Sequence, residues 1–151
     1  MQEYHERVPF MRPLMEHYKQ RVRSRREVRT LFGRRRRFNR WATRDGKISM
    51  NDKRPPGARL AFTYTGLNAR IQGSAADIMK AAMVKVWESG VCSVIGAPLL
   101  TVHDELDLSA PDAQAGREAV AEIKNIMEHA AKLSLPLKVD AQSGPSWGAC
   151  E

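Results

Sequence analysis

Between two stretches with helical periodicity, this chain of 151 residues turns back on itself around an acidic break. Val94, Ile95, Leu99, Leu100, Thr101 and Val102 form a β-prone run. His103-Asp104-Glu105 interrupts it, and Leu106 and Leu108 then alternate with Asp107 and Ser109. Apolar residues on both sides of a polar turn predict two antiparallel strands, with the alternation fixing which side chains share a face.

The flanking elements follow from the same periodicities. Tyr4, Val8, Met11, Met15, Tyr18 and Val22 mark one face of a first helix, with Pro9 in its first turn and Pro13 requiring a late start or a kink. Val28, Thr30 and Phe32 alternate with Arg29 and Leu31 up to Gly33, a short hairpin whose tip and return strand carry Arg34–Arg37. Residues 41–57 read as a loop ending at Pro55-Pro56-Gly57. A helix is expected over 58–70. A second starts at Ser74, capped with the help of Asp77, buries Ala75, Met79, Ala82, Met83 and Val86, and stops at Gly90. After Pro111, Val120, Ile123, Met127 and Ala130 mark a last long helix; residues 135–141 are expected to form a final strand, and Gly144–Trp147 a terminal turn. The order predicts an antiparallel α+β fold rather than a βαβ repeat.

Charge is distributed unevenly. Residues 1–60 carry 18 basic and 6 acidic side chains, and residues 61–151 carry 7 basic and 11 acidic. An Arg-rich, clustered excess points to an anionic polymer, nucleic acid first, with an acidic protein or a merely solvated surface as the other readings. No apolar run is long enough to span a bilayer and none resembles a signal peptide, so a soluble, intracellular protein is expected. Cys92 and Cys150 stand apart with no metal-ligand spacing and read as reduced thiols, Cys92 buried and Cys150 near a loose end.

Asp104 and Glu105 on a hairpin turn suit Mg²⁺, which binds through one or two carboxylates plus substrate phosphates; Asp is also a turn residue for conformational reasons alone. His103 beside them is equally explained as a hydrogen-bonded core residue. Asn68 and Gln72, four apart, share a helix face, where amides suit base edges or are simply solvated. Arg34, Arg35 and Arg36 are candidates for a phosphate clamp.

Taken together, these segments resemble family A DNA polymerases, the bacterial DNA polymerase I group. Thr30-Leu31-Phe32-Gly33-Arg34-Arg35-Arg36 is similar to the family's TLFGRRR segment. Asn68 to Ile78 is similar to its N-x-x-x-Q-G-[ST]-A-A-D-I segment, Val102-His103-Asp104-Glu105 to motif C, and Gly144 to Trp147 to its terminal G-x-x-W. The resemblance runs from about Tyr4 to Trp147. It implies the C-terminal palm and fingers part of the polymerase domain. Residues 1–57 would be helix, Arg-rich hairpin and loop; 58–90, fingers and palm helices; and 91–151, palm with the motif C hairpin. It further implies that Asp104 is one of two aspartates holding a pair of Mg²⁺ ions and that Glu105 supports it. His103 would lie by the primer terminus, and Asn68 and Gln72 would track the minor groove of primer-template DNA.

The reaction implied is attack of a primer 3′-hydroxyl on a deoxynucleoside triphosphate. The segments carrying the second Asp (motif A) and the nucleotide grip (motif B) would lie upstream. The chain is therefore expected to need an upstream polymerase chain, to be inactive alone, and to expose a sheet edge and an apolar face. Tyr64 stands where many members have Arg, which puts one DNA contact in doubt. A split or truncated enzyme of a bacterial or phage-infected cytoplasm is the leading expectation; a non-catalytic remnant that binds duplex DNA is the alternative.

Overall fold

The computed structural model describes residues 6–49 and 53–150. The chain forms two compact units, Met1–Ser74 and Ala75–Glu151. Small antiparallel sheets and helices make up both, the α+β class that the element order predicts.

In the first unit, helix α1 spans Met11–Arg25. Pro13 is its third residue, where a backbone N–H would have no intrahelical acceptor, so the late start accommodates it without a kink. Of the expected stripe, Val22 is fully buried and Tyr18 half-buried, but Met15 is exposed while its neighbour Leu14 is half-buried; Tyr4 lies outside the described residues. The expected Arg-rich hairpin is present as β1 (Glu27–Arg29) and β2 (Arg35–Arg37), with Val28 opposite Arg36. Val22, Val28 and Phe38 form the core of the unit.

Residues 41–57 are not simply a loop. Trp41–Ala42 (β3) pairs with Ile48–Ser49 (β4) and with Arg59–Leu60 (β5) in a three-stranded sheet. Strands this short lack the alternation that marks a strand in sequence, and it is the buried Trp41, 6% exposed, that holds them. The helix expected over 58–70 is corrected for the same reason: Arg59–Leu60 is committed to the sheet, and a 3₁₀ turn at Thr63–Thr65 leads into helix α2, Gly66–Glu88. Helix α2 runs unbroken through Ser74, which is therefore not a cap.

In the second unit, Val86, Val91, Ile95, Ala119 and Ile123 form an aliphatic core. Met79, Ala82 and Val86 are buried as expected, while Ala75 is exposed. Gly90, with φ +80, follows the end of α2. Val94 and Ile95 belong to a one-turn helix, α3 (Cys92–Ile95), rather than to a strand. Gly96, with φ +76, then separates that helix from β6 (Leu100–Val102), which pairs with β7 (Glu105–Asp107). Helix α4 spans Gln114–Glu128. Residues 135–141 form no strand: Pro136 lacks a donor, and among the described residues no neighbouring strand offers a ladder. The Val139 amide instead donates to Glu128 at 3.1 Å. Cys92 is half-buried rather than buried, and both cysteines are free.

Candidate functional site

In the first unit the TLFGRRR turn is locked onto the start of α2. Ser74 Oγ donates to the Arg70 carbonyl at 2.6 Å and accepts the Leu31 amide at 2.9 Å. Arg70 donates to the Arg29 carbonyl at 2.6 Å, and Arg34 to the Gly73 carbonyl at 3.0 Å. Inside the turn, Gly33, with φ +84, donates to the carbonyl of Thr30, and the Thr30 hydroxyl accepts the Arg34 amide. A Cβ on Gly73 would stand 2.8 Å from Thr30 Cγ2, so only glycine permits this approach. Gly66 plays the same part against Val22 and Tyr18.

These ties divide the predicted site residues. Arg34 spends its guanidinium on Gly73, and Arg35 lies 4.0 Å from Glu27. Arg36 instead lines a groove of about 480 Å³ together with Asn68 and Gln72, one helical turn apart on α2. Both amides are exposed, and neither side chain has a hydrogen-bond partner among the described residues, so their donors and acceptors face outward. Arg37, Arg40 and Phe62 complete the groove, with the Arg40 guanidinium 6.0 Å from the centre of the Phe62 ring. Sequence reasoning missed Arg40 and Phe62, because Phe62 reaches the groove only through a left-handed φ of +56.

His103, Asp104 and Glu105 belong to the second unit. Val102 pairs with Glu105, which leaves His103 and Asp104 as a two-residue turn. His103 takes φ +53, the left-handed conformation that such a turn needs at its first position. A residue with a Cβ gives up roughly 1–2 kcal/mol there. The Thr101 hydroxyl contacts Met83 Sδ at 3.9 Å, and Leu108 packs on the aliphatic core. The hairpin is thus anchored on the Thr101 and Leu106 face. Glu105 shares the opposite face with Leu100, Val102 and Asp107. Leu99 and Leu100 are 73% and 53% exposed, the uncovered apolar surface that the sequence anticipates.

Asp107 is a residue that simple alternation places in solvent, yet one of its carboxylate oxygens is buried with no hydrogen-bond partner among the described residues. The hard oxygen donors of exposed Asp104 and Glu105 suit one part of a Mg²⁺ shell. Among the described residues no group of three His, Cys, Asp or Glu is placed to hold a metal ion.

Comparison with known proteins gives consistent relatives. The sequence pattern of DNA polymerase family A matches residues 1–149. The thermostable DNA polymerase I of Thermus filiformis is 38% identical over 148 residues, covering 97% of this chain and 16% of its own length. A DNA-directed DNA polymerase of Pseudomonas phage M6 is 36% identical over 142 residues, 94% of this chain and 18% of that protein. Among solved structures, the POL domain of Pol1 from M. smegmatis, in complex with DNA primer-template and dNTP, aligns with a TM-score of 0.77 and 32% identity over 99% of this chain and 25% of that one. The chain thus spans about one-sixth of the length of these curated relatives.

Proposed function

This chain belongs to DNA polymerase family A, and from that premise we propose that it supplies the motif C hairpin and a duplex-binding groove to a template-directed DNA polymerase. The observation that carries the reading is the Asp104 carboxylate, exposed at the tip of a hairpin whose turn is held in a left-handed conformation. Asp104 would hold Mg²⁺, with Glu105 supporting it. When bound, the metal supplies charge stabilisation to the attacking and leaving oxygens of the phosphoryl transfer. His103 fixes the turn and stands by the primer terminus. Asn68 and Gln72 face the minor groove, whose acceptors recur at equivalent places in every base pair, so the amides check pairing geometry without reading sequence. Arg36 neutralises backbone phosphates, assisted by Arg35, while Arg34 holds the turn that positions them.

The second carboxylate and the grip on the deoxynucleoside triphosphate come from the motif A and motif B segments, on a longer polypeptide or on an upstream chain. This chain alone then does not polymerise. Primer extension by the chain combined with a family A segment carrying those motifs tests the reading, beside an Asp104→Ala version. Extension that disappears with the substitution, while duplex binding persists, is the expected result; extension equal in both would overturn it.

One observation favours a second reading, a non-catalytic module that binds duplex DNA: the groove of Arg36, Asn68 and Gln72 is formed within one unit and uses none of the carboxylates. Under that reading no combination extends a primer, and Asp104→Ala changes nothing.

A further inference from the structure

Arg70 stands between Asn68 and Gln72 on α2, at a position that the N-x-x-x-Q-G pattern leaves variable. The function proposed above gives it no task. At about 100° per residue, a side chain two positions from each amide leaves the opposite side of the helix. Accordingly, Asn68 and Gln72 line the duplex groove and Arg70 does not. Its Nη1 donates instead to the carbonyls of Arg29, at 2.6 Å, and Thr30, at 3.3 Å, which are 41 and 40 residues away in sequence.

The Arg29 carbonyl is free to accept because of the hairpin's own ladder. The Thr30 amide donates to the Arg34 carbonyl at 2.9 Å, and Arg29 faces Arg35 in the next pair. Hydrogen-bonded and open pairs alternate along an antiparallel ladder, so Arg29 turns its carbonyl away from β2. Otherwise the hairpin is held by Val28 and Phe38 in the core of the unit. Apolar contact has no direction: it fixes how deep the hairpin sits, not how it is turned about that contact. One guanidinium nitrogen shared by two successive carbonyls supplies the direction.

The residue this direction serves is Arg36. It is paired with Val28 on β2 and lines the groove beside the two amides. Its guanidinium lies 5.9 Å from the centre of the Phe38 ring, so a shift of the strand carries the charge with it. We propose that Arg70 is a positioning residue. From the far side of α2 it sets the β1–β2 hairpin so that Arg36 meets a phosphate of the same duplex that Asn68 and Gln72 face. The inference rests on the duplex-groove reading and concerns the first unit alone.

The test titrates the whole chain with a fluorescent mixed-sequence duplex at several salt concentrations. Arg70→Lys keeps the charge and loses the planar head, which separates position from electrostatics. It is expected to weaken binding by about tenfold, one charge-assisted bond's worth, and to lower the salt slope by roughly 0.9, as Arg36→Gln does. Adding Arg36→Gln to Arg70→Lys then changes neither value further. Asn68→Ala still adds its own loss of about fivefold, which a general loosening of the unit would not spare. Arg70→Gln, measured beside it, should show the same coupling to Arg36, so the result does not hang on the folding of one variant. Arg70→Lys that binds like the parent, salt slopes that add, or an Asn68→Ala effect that vanishes would overturn the proposal. A parent chain that binds no duplex would overturn the groove reading itself, and this inference with it.

Discussion

The unit Met1–Ser74 carries 19 basic and 6 acidic side chains, whereas Ala75–Glu151 carries 6 basic and 11 acidic, +13 against −5. Their interiors differ as much as their surfaces. The acidic unit closes on aliphatic packing, with Val86, Val91, Ile95, Ala119 and Ile123 shut away from water. The basic unit has a smaller core of Val22, Val28 and Phe38 and relies on long side chains tied to its backbone. Arg34, Arg54 and Arg70 each donate to a backbone carbonyl, at 3.0, 2.7 and 2.6 Å. A guanidinium offers five donors in a fixed fork, so one side chain can cross-link loops that no apolar contact holds. Net charge therefore overstates how many arginines are available to phosphate: some of the excess is structure.

The largest expected effect separates chemistry in one unit from binding in the other. In the combined polymerase, Asp104→Ala should lower primer extension by at least about a thousandfold, the several kcal/mol that a metal clamp contributes, with duplex affinity unchanged by fluorescence titration. Next, Gly73→Val should destabilise the basic unit by about 1–3 kcal/mol, because the added carbons meet Thr30 with nowhere to go. Ser74→Ala, which leaves the Leu31 amide without its acceptor, should cost a similar 1–3 kcal/mol at most. Hydrogen exchange sharpens the contrast if the Leu31 amide loses protection while residues 119–127 keep theirs; loss in both regions would break it.

In the acidic unit the sign reverses. Asp107→Val removes a buried carboxylate oxygen that lacks a partner among the described residues and should raise stability in urea by about 1 kcal/mol. The smallest effects distinguish residues within the duplex groove. Arg36→Gln should lower the salt slope of duplex binding by roughly 0.9. Asn68→Ala should leave that slope alone and weaken binding by about fivefold, one hydrogen bond's worth.

Much of the candidate site was legible because its signals are local. Asp104 and Glu105 fall at a break between two apolar runs, and the turn the structure places there is at His103-Asp104. Asn68 and Gln72 are four apart and do share a groove with Arg36. The three arginines read as one clamp were not separable in sequence. Arg34, Arg35 and Arg36 are chemically identical neighbours, and only the position of Gly73 and Glu27 gives them different tasks. Trp41 carried no signal, since a strand of two residues is too short to alternate, and Phe62 carried none because a left-handed backbone brings it to the groove.

Sequence by itself determined the periodic elements, the separation of charge and the turn that bears Asp104, because each depends on residues within a few positions of one another. Tertiary structure decided the rest. Ser74 with Asp77 makes a good local start for a helix, yet α2 passes straight through it, and the hydroxyl serves an amide 43 residues away. Residues 135–141 alternate like a strand but stay unpaired among the described residues, since a strand exists only where another supplies its hydrogen bonds. Propensity acts along the chain; a donor's need for an acceptor is met wherever in space the fold provides one.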